Sequence, residues 1–509
     1  MDYDVVVAGA GPVGLLLACE LRLGGARVLV VERETEPPRS RFGSMGARAV
    51  NAPSVHALHL RGLLPEVERA AAMWLGGGAG LPEFDPADTG ERPDIFVGHF
   101  AGIGIRIDRL RPPGPGEEFL GAGVIAQGDL EVIFERRAAE LGVEVRRGVS
   151  LTAFESDADG VTVHIGRPVR TGWLVGADGG RSTVRRLAGI GFPGLDPVFT
   201  GRQAIVDLDD PGQLVADGWQ AGEHGSYVVG GWDDGSGPPR VHTVEYEVVP
   251  DRDAPVTAEE IQASLRRVSG TDVRVTRLHV ATRYADTTRQ AETYRRGRVL
   301  LCGDAAHVHS PAGGQGMNLG LGDAVNLGWK LALVARGVAP AALLDTYTTE
   351  RHPIGEWVQR WSMAQTALST PRGPRADALR EVLADLLDTQ DGATYVVSKI
   401  GGGWQHYDLP GDFPLIGHRV PDLPLSDGTT LAPHFRSGRA VLLDTGTGAA
   451  EVAAEWESRV ELVTATPLAF PDQKLAALIR PDGHMAWAAV GPDPEGLREA
   501  LTTWLGSPA

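Results

Sequence analysis

The stretch GRVLLCGDAAHVHSPAGGQGMNLGLGDAVNLGWKL, which runs from Gly297 to Leu331, contains the pattern that decides the fold of the chain. Its apolar run, residues 298–302, predicts one buried strand, and a Gly-Asp pair then places Asp304 at the C-terminal end of that strand. A turn rich in proline and glycine follows, and apolar residues at helical spacing then predict a helix that stops near Gly337. Strand, acidic corner, glycine loop and helix in this order are typical of an α/β sheet that binds a cofactor beyond its strand ends.

The N-terminus carries a second pattern of the same kind. The β-branched run DVVVA, residues 4–8, predicts a buried parallel strand, and GAGPVG, residues 9–14, opens an apolar helix directly after it. A second strand, residues 26–31, ends at Glu32, whose carboxylate is placed to accept hydrogen bonds from a ribose. The pattern predicts a dinucleotide site without distinguishing NAD from FAD. The tight turn, the approach to the pyrophosphate and the close packing of helix and strand are assigned to Gly9, Gly11 and Gly14.

The composition is that of an ordinary globular chain with an acidic surface. Its 509 residues suggest about three domains, and 42% hydrophobic with 22% charged residues allows a large core. The net charge of −18 argues against a nucleic acid or an anionic membrane as the main partner. Cys19 and Cys302 lie in apolar runs and form no redox or metal pair, which favours a reducing cytoplasm. We expect no signal peptide, no membrane segment and no metal site.

The remainder of the chain predicts two further units. Alternating runs between residues 186 and 280 predict an inserted antiparallel sheet that would cover the cofactor and supply much of a substrate pocket. Candidate aromatic residues of that pocket are Trp219, Tyr227, Trp232 and Tyr246. The C-terminal part alternates β and α patterns and contains no cysteine, so disulfide chemistry is excluded there.

Three motifs in a fixed order resemble one known family. The fingerprint at 9–14, the Asp178-Gly179 turn in GADGGRS, and the Gly303-Asp304 corner follow one another as in the class A FAD-dependent aromatic monooxygenases, which have the para-hydroxybenzoate hydroxylase fold. The run YRRGRVLLCGDAAH (294–307) and the thioredoxin-like look of the C-terminal part are similar to the polyketide hydroxylase and Baeyer–Villiger subgroup. The resemblance covers essentially the whole chain.

This resemblance implies an α/β architecture with three kinds of domain. A Rossmann-type FAD-binding domain is expected over residues 1–185, with crossings to the substrate domain near 75–120. The substrate-binding sheet, mixed or antiparallel, is expected over 186–280. The second part of the FAD domain, with a helical connection, would span 281–400, and a thioredoxin-like α/β domain would span 401–509.

The resemblance also implies the chemistry. It predicts a monooxygenase that consumes NADPH or NADH and inserts one oxygen atom from O₂ into an aromatic polyketide through a flavin C4a-(hydro)peroxide. Aromatic hydroxylation in natural-product biosynthesis is the expected reaction. Two alternatives stay open: Baeyer–Villiger insertion of oxygen next to a ketone of a polycyclic polyketide, and a flavoprotein without catalytic function. A homodimer is also left open.

The motifs assign residues to these roles. Arg41 is expected near the pyrophosphate of FAD, Asp304 at its ribityl and pyrophosphate region, and Pro311 with the loop 313–317 against its ring system. The full set of predicted cofactor-binding residues is Gly9, Gly11, Pro12, Gly14, Glu32, Arg33, Arg41, Gln127, Asp178, Asp304, Pro311, Gly313, Gly314, Gly316, Met317 and Asn318. The predicted catalytic residues are Arg48, Pro311 and Gly314.

Arg48 has two interpretations. It is either a solvated charge at a helix start or a cation that faces the flavin and a phenolic substrate. Its sequence Arg48-Ala49-Val50-Asn51 departs from the R-T-x-E of related polyketide hydroxylases, which leaves the substrate and the reaction type open. A cation beside the reacting atoms would stabilise an anion there.

Overall fold

The computed structural model describes residues 1–72, 96–112, 123–215, 218–222, 224–230, 237–248, 254–369 and 373–508. Much of the region near 75–120, where we predict the crossings between domains, lies outside these ranges, and so does Trp232. Three large sheets, of eight, five and four strands, organise the described residues.

The eight-stranded sheet has a parallel centre. Tyr3–Ala8 pairs in parallel with Val28–Glu32 on one side and with Pro168–Gly176 on the other. These strands form because their runs of apolar residues, β-branched in Tyr3–Ala8 and Val28–Glu32, are buried on both faces of the sheet. The path from edge to edge is Arg295–Arg296, Val299–Leu301, Pro168–Gly176, Tyr3–Ala8, Val28–Glu32 and Glu144–Arg147, and Val161–His164 with Ala153–Ser156 extends it from Pro168–Gly176. The predicted Rossmann-type fold is confirmed.

Long helices pack together beside this sheet. The first helix, Pro12–Leu23, contacts both Gln127–Glu140 and Gly316–Ala335. We call Gly316–Ala335 the central helix, and nearly all of its residues are buried. It stops two residues before Gly337, which has a φ of 72°, close to the predicted end. The long helix, Asp345–Ser369, packs against the central helix.

The five-stranded sheet is antiparallel and lies in the region that the sequence predicts to bind substrate. Its order is Gln220–Gly222, Gly225–Val229, Arg240–Glu245, Thr200–Leu208 and Val275–Ala285. The helix Ala258–Ser269 covers one of its faces. Val275–Ala285 stays paired with Thr200–Leu208 as far as Ala285, so the boundary expected between 280 and 281 cuts a strand. The unit therefore extends to Ala285.

The C-terminal unit has the predicted thioredoxin-like topology. Its strand order is Val460–Val463, Ala440–Asp444, Leu475–Ile479 and Met485–Val490, of which the first pair is parallel and the others are antiparallel. Ala449–Ala453 connects the parallel pair, and Pro494–Leu505 follows the last strand.

The remaining elements are shorter or connect these units. The helices are Gly43–Gly46, Ala52–Leu60, Leu64–Ala72, Thr183–Leu187, Pro374–Leu387 and Gln390–Gly401. The strands are Ala47–Val50 with Gly123–Ala126, Phe96–Phe100 with Ile103–Arg106, and the group Gly194–Leu195, Thr288–Gln290 and His307–Val308.

A buried ion network joins the C-terminal unit to the helices beside the eight-stranded sheet. Arg480 donates to both oxygens of Glu350, at 2.9 and 2.8 Å, and to Asp482 at 2.5 Å. Lys330 of the central helix also donates to Glu350, at 2.8 Å. All four side chains are at most 5% exposed. Charges buried to this extent are stable only when they are paired, so the network specifies how the two units dock.

Within the described ranges, no helix is long and apolar enough to cross a membrane. The same residues contain no group of three or more histidine, cysteine, aspartate or glutamate side chains that would hold a metal ion. Cys19 and Cys302 are buried as free thiols, in agreement with their prediction as small core side chains.

Candidate active site

The N-terminal glycines differ in what surrounds them. Gly9 has a φ of 110°, and a Cβ atom there would lie 2.2 Å from the carbonyl oxygen of Ala177. A Cβ atom at Gly14 would lie 2.0 Å from the carbonyl oxygen of Gly9. At Gly11, by contrast, a Cβ atom would meet nothing within 4 Å. The chain's own backbone thus requires the outer two glycines, while Gly11 leaves open space at the N-terminus of the first helix, where Pro12 occupies the first turn.

Glu32 is held in place by the loop that it faces. Its Oε2 accepts the N–H of Ala10 at 2.8 Å, and its Oε1 accepts the N–H of Glu34 at 3.0 Å. Each carboxylate oxygen retains acceptor capacity for a ligand hydroxyl. Arg33 does not converge on this carboxylate, because its side chain is 76% exposed and forms an ion pair with Glu34.

Arg41 and Gln127 meet at a carboxylate that the sequence analysis missed. Glu131 is 1% exposed, and its oxygens accept from Arg41 at 2.9 and 3.1 Å and from Gln127 at 2.9 Å. Burial raises the pKa of Glu131, and the Arg41 charge opposes that rise. Gln127 is the first residue of its helix, so Glu131 lies one turn further along the same face. The sequence did contain a signal for this buried carboxylate, because Glu131 stands in a run of apolar residues that includes Leu130 and Ile133–Phe134.

Asp178 caps a short helix. Its Oδ2 accepts the backbone N–H groups of Thr183 and Val184, at 2.7 and 3.1 Å. Its Oδ1 is buried without a hydrogen-bond partner among the described residues. Asp178 therefore stabilises the turn that follows the strand Pro168–Gly176. Its predicted contact with FAD stays a prediction.

Asp304 is exposed just beyond the C-terminal end of a strand of the large sheet. It follows the strand Val299–Leu301, and its side chain is open yet makes no hydrogen bond with another described residue. The surrounding protein raises the pKa of its carboxyl group, while the charges of His307 and Arg48 lower it. A carboxylate without protein donors at the end of a central strand is suited to accept hydrogen bonds from ligand hydroxyls.

A second buried cluster of charged residues supports the Gly303-Asp304 turn. The sequence analysis did not predict this cluster either. Asp323 of the central helix is fully buried and accepts from His307 at 2.6 Å, from Arg351 at 2.8 Å and from the N–H of Gly303 at 3.1 Å. Burial raises the pKa of Asp323, but His307 and Arg351 outweigh it and hold that pKa below its usual value. The cluster fixes the backbone on both sides of Asp304.

The glycine loop, Pro311–Gly316, is a tight turn. The N–H of Gly314 donates to the carbonyl oxygen of Pro311 at 3.1 Å, and Gly313 and Gly314 have φ values of 85° and 65°. A Cβ atom at Gly313 would also lie 2.4 Å from Nε2 of Gln365. Pro311 is exposed at the start of the loop, and Gly316 begins the central helix.

Asn318 holds the loop to its neighbours. Its Oδ1 accepts from the N–H of Asn51 at 3.0 Å and from the hydroxyl of Ser54 at 2.8 Å. Its Nδ2 donates to the carbonyl oxygens of Ala49 and Gly314, at 2.9 and 3.2 Å. The amide is thus saturated by protein, so a contact of Asn318 with a cofactor would use its backbone. Met317, beside it, is half-buried against the core.

Arg48 lies on a strand, so its prediction as part of a loop or helix start is wrong. Ala47–Val50 pairs with Gly123–Ala126, a partner distant in sequence that local patterns do not reveal. Nη1 of Arg48 donates to the carbonyl oxygens of Ala47 at 2.8 Å and Met45 at 3.3 Å. Burial lowers the pKa of Arg48, and the charge of Asp304 acts in the opposite direction. Arg48 is a half-buried cation, and its predicted place beside the flavin stays a prediction.

The aromatic candidates of the five-stranded sheet divide between its two faces. Tyr227 packs in the core under the helix Ala258–Ser269. Trp219 is half-exposed, and its ring edge lies against His242, with centroids 4.7 Å apart. His242 is hydrogen-bonded to Tyr284, and neither residue was singled out from the sequence.

The comparisons with known proteins agree with this geometry. Residues 2–362 match the FAD binding domain family, and residues 413–508 match the aromatic-ring hydroxylase C-terminal family. The chain belongs to the FAD-dependent aromatic-ring hydroxylases. It is 43% identical to the 12-dehydrotetracycline 5-monooxygenase/anhydrotetracycline 6-monooxygenase of Streptomyces rimosus over 100% of both chains. It is 38% identical to the rifampicin monooxygenase of Streptomyces venezuelae over 99% of both.

Among solved structures, the anhydrotetracycline hydroxylase of Streptomyces rimosus has a TM-score of 0.83 and 39% identity over 100% of both chains. This aromatic-ring hydroxylase is therefore a FAD-dependent monooxygenase, as the motifs predict. Its residues fit FAD, because Gly11 leaves room for a pyrophosphate at a helix N-terminus and Asp304 presents an exposed carboxylate that no described residue engages by a hydrogen bond.

Proposed function

We propose that this monooxygenase hydroxylates an aromatic ring of a polyketide, with NADPH or NADH as reductant. The overall reaction balances as RH + O₂ + NAD(P)H + H⁺ giving ROH + H₂O + NAD(P)⁺. Bound FAD supplies the hydride acceptor and the activation of O₂. The chain's own residues bind and orient the two ligands and keep water away from the reacting atoms.

The observation that carries the proposal is that the five-stranded sheet contacts the segment just before the strand of Arg48, so that two walls would enclose a substrate cleft. One wall contains Asp304, the glycine loop and the strand of Arg48. The other is the face of the five-stranded sheet that the helix Ala258–Ser269 leaves uncovered. Arg240 on that face donates to the carbonyl oxygen of Ser44 at 3.0 Å, which joins the two walls. A flat, oxygenated molecule fits between a flavin ring and such a polar aromatic surface.

The FAD-binding part of the proposal assigns a role to each group. Gly11 and the N-terminus of the first helix would take the pyrophosphate, and Glu32 and Asp304 would accept from hydroxyl groups. The ion pair of Arg41 with Glu131 would keep its guanidinium oriented toward the nucleotide. The backbone of the glycine loop would lie against the ring system of FAD, because Gly313 and Gly314 have positive φ values and no Cβ atoms and so permit a close approach.

The surroundings of Arg48 favour hydroxylation over Baeyer–Villiger oxidation. Oxygen insertion beside a ketone needs an anionic oxidant, which a free cation would stabilise. Nη1 of Arg48 instead donates to two carbonyl oxygens, and the negative charge of Asp304 acts on the guanidinium and offsets part of its field. Relatives of this chain are named as monooxygenases of anhydrotetracycline and of rifampicin, and one solved structure is named as an anhydrotetracycline hydroxylase, which favours hydroxylation.

The test is to purify the protein, release its flavin by denaturation and then follow NADPH oxidation with and without anhydrotetracycline. We expect non-covalent FAD and an oxidation rate that this phenol stimulates. Protein without flavin, or NADPH oxidation that no fused-ring phenol stimulates, would contradict the proposal. We further propose a cytoplasmic enzyme that forms a homodimer, for which light scattering should give twice the mass of the chain.

A further inference from the structure

The two faces of the five-stranded sheet differ in chemistry. Ala204, Val206 and Val241 pack with the helix Ala258–Ser269 as an apolar core, beside a buried ion pair of Arg202 with Glu245. The opposite face, which we call the cleft face, carries Gly201, Gln203, Arg240, His242 and Tyr284, as the pairs Gln203 with His242 and Gly201 with Tyr284 show. The rings of His242 and Tyr284 both carry hydrogen-bonding groups. Because burying such a group without a partner is unfavourable, we expect each to find a hydrogen-bond partner on this face.

These partners form a short chain of polar groups. Nε2 of His242 is hydrogen-bonded to the hydroxyl of Tyr284, and its Nδ1 lies 3.5 Å from Nε2 of Gln203. The ring of Tyr284 rests on Gly201, where a Cβ atom would lie 2.1 Å from the ring. The ring edge of Trp219 closes the other side of His242. The Tyr284 hydroxyl is therefore held by His242 and by the packing of its ring on Gly201, while Gln203 and Trp219 hold His242.

The chain of polar groups faces the FAD-binding side. Arg240, two residues before His242 and on the same face, donates to Ser44 just ahead of the strand that carries Arg48. Tyr284 keeps part of its surface open, whereas His242 is nearly covered. The exposed group of the pair is thus the phenol, which both donates and accepts a hydrogen bond.

We propose that Tyr284 recognises a ring oxygen of the aromatic polyketide through its hydroxyl, and that His242 is the positioning residue that aims this hydroxyl at the cleft. The inference rests on the proposed function, since it needs an oxygenated aromatic substrate in the cleft. One side of the phenolic oxygen is engaged by His242, which leaves the other side for a phenol, phenolate or carbonyl oxygen of the substrate. A substrate lacking that oxygen would leave the buried pair unsatisfied and would bind more weakly.

The pair recognises the oxygen and does not act as a base. Burial and the Arg240 charge lower the pKa of His242 to about 3, so the imidazole is neutral at neutral pH. Burial also raises the pKa of Tyr284, and of the charged groups nearby Arg240 lowers it while Asp286 raises it. A neutral imidazole with so low a pKa does not hold a proton taken from a substrate phenol.

The test compares Tyr284→Phe with Tyr227→Phe in the FAD-loaded enzyme. Tyr227 lies on the helix-covered face of the same sheet, so it is a matched control. Loss of one hydrogen bond should weaken the binding of anhydrotetracycline about tenfold in Tyr284→Phe, with FAD content unchanged. Tyr227→Phe should bind it like the wild type. The pH dependence of turnover between pH 6 and 8 should keep its shape, because the raised pKa of Tyr284 lies above that range.

His242→Phe is the second variant, and it also decides the matter if Tyr284→Phe fails to fold. It keeps an aromatic ring against Trp219 and removes only the hydrogen bonds, so binding should weaken in the same direction. Wild-type affinity in both variants would overturn the inference, and a shifted pH profile would overturn the claim that the pair is not a base. Failure of the wild type itself to bind anhydrotetracycline would count against the proposed function and the inference resting on it. Binding by the wild type with no loss in the variants would count against the inference alone.

Discussion

Replacing Arg480 should destabilise the enzyme far more than its distance from the cofactor suggests. Arg480 is fully buried and lies between two carboxylates, those of Glu350 and Asp482. Together with Lys330 these groups carry two positive and two negative charges, so the cluster is neutral. Arg480→Met keeps most of the side-chain volume and leaves one uncompensated buried negative charge.

The expected cost follows from that charge count. Arg480 and Lys330 hold the pKa of Glu350 at about 2, although burial raises it, so this carboxylate is ionised in the folded protein. Glu350 retains Lys330 in the variant. Asp482 keeps weaker partners, which are the indole N–H of Trp329 at 3.2 Å and the backbone N–H and the ring of His484, both at 3.3 Å. Removing one partner of a buried pair costs about 3–5 kcal/mol, a large part of an ordinary free energy of unfolding.

Urea unfolding, followed by flavin and tryptophan fluorescence, measures this cost. Asp482→Asn in the Arg480→Met background restores neutrality and should recover part of the lost stability. Arg498→Met is the control, because Arg498 forms an exposed ion pair with Glu455 in the same unit and should matter little. The reasoning is refuted if Arg480→Met unfolds at the wild-type urea concentration, or if the double variant is less stable than the single one.

Three further predictions concern the cofactor and pH. Gly11→Val should fill the open space at the first helix and abolish FAD binding, while Gly337→Ala, far from the nucleotide, should retain the flavin absorbance of the purified protein. Asp304→Ala should weaken FAD binding by about 1–3 kcal/mol in equilibrium titrations, and an unchanged dissociation constant would remove Asp304 from the site. Burial lowers the pKa of His56 from 6.5 to about 3, so the unfolded chain binds a proton that the folded chain does not. The free energy of unfolding should therefore be unaffected by His56 above pH 6.5. It should decrease between pH 6.5 and pH 3, by up to ~1.4 kcal/mol per pH unit for this group. His56→Gln, which keeps a donor for the carbonyl oxygen of Val420, should flatten that slope, and an unaltered slope would mean that His56 is protonated in the folded state.

Local patterns were sufficient for the nucleotide end of the site. The DVVVA strand, the GAGPVG turn and the acidic end of the second strand are consecutive in sequence, so their geometry follows from residue types and spacing. The helix after the glycine loop was predictable for the same reason, since its apolar spacing and Gly337 mark its extent.

Contacts between distant segments were not predictable in this way. The strand of Arg48 exists because it pairs with Gly123–Ala126, and the His242–Tyr284 pair joins strands 42 residues apart. Arg480 meets Glu350 across 130 residues, although both are ordinary charged residues in the sequence. Such partners are chosen by packing and by the need to neutralise buried charge, which single-sequence periodicity does not encode.

The central claim is that one oxygen atom from O₂ ends as a hydroxyl group on an aromatic polyketide. The most direct measurement is mass spectrometry and NMR of the product formed from anhydrotetracycline, NADPH and ¹⁸O₂ by the purified enzyme. The account predicts a product with one ¹⁸O atom, present as a new hydroxyl on an intact carbon skeleton. A labelled oxygen inserted next to a carbonyl would instead show Baeyer–Villiger oxidation, and a product without the label would contradict monooxygenation itself.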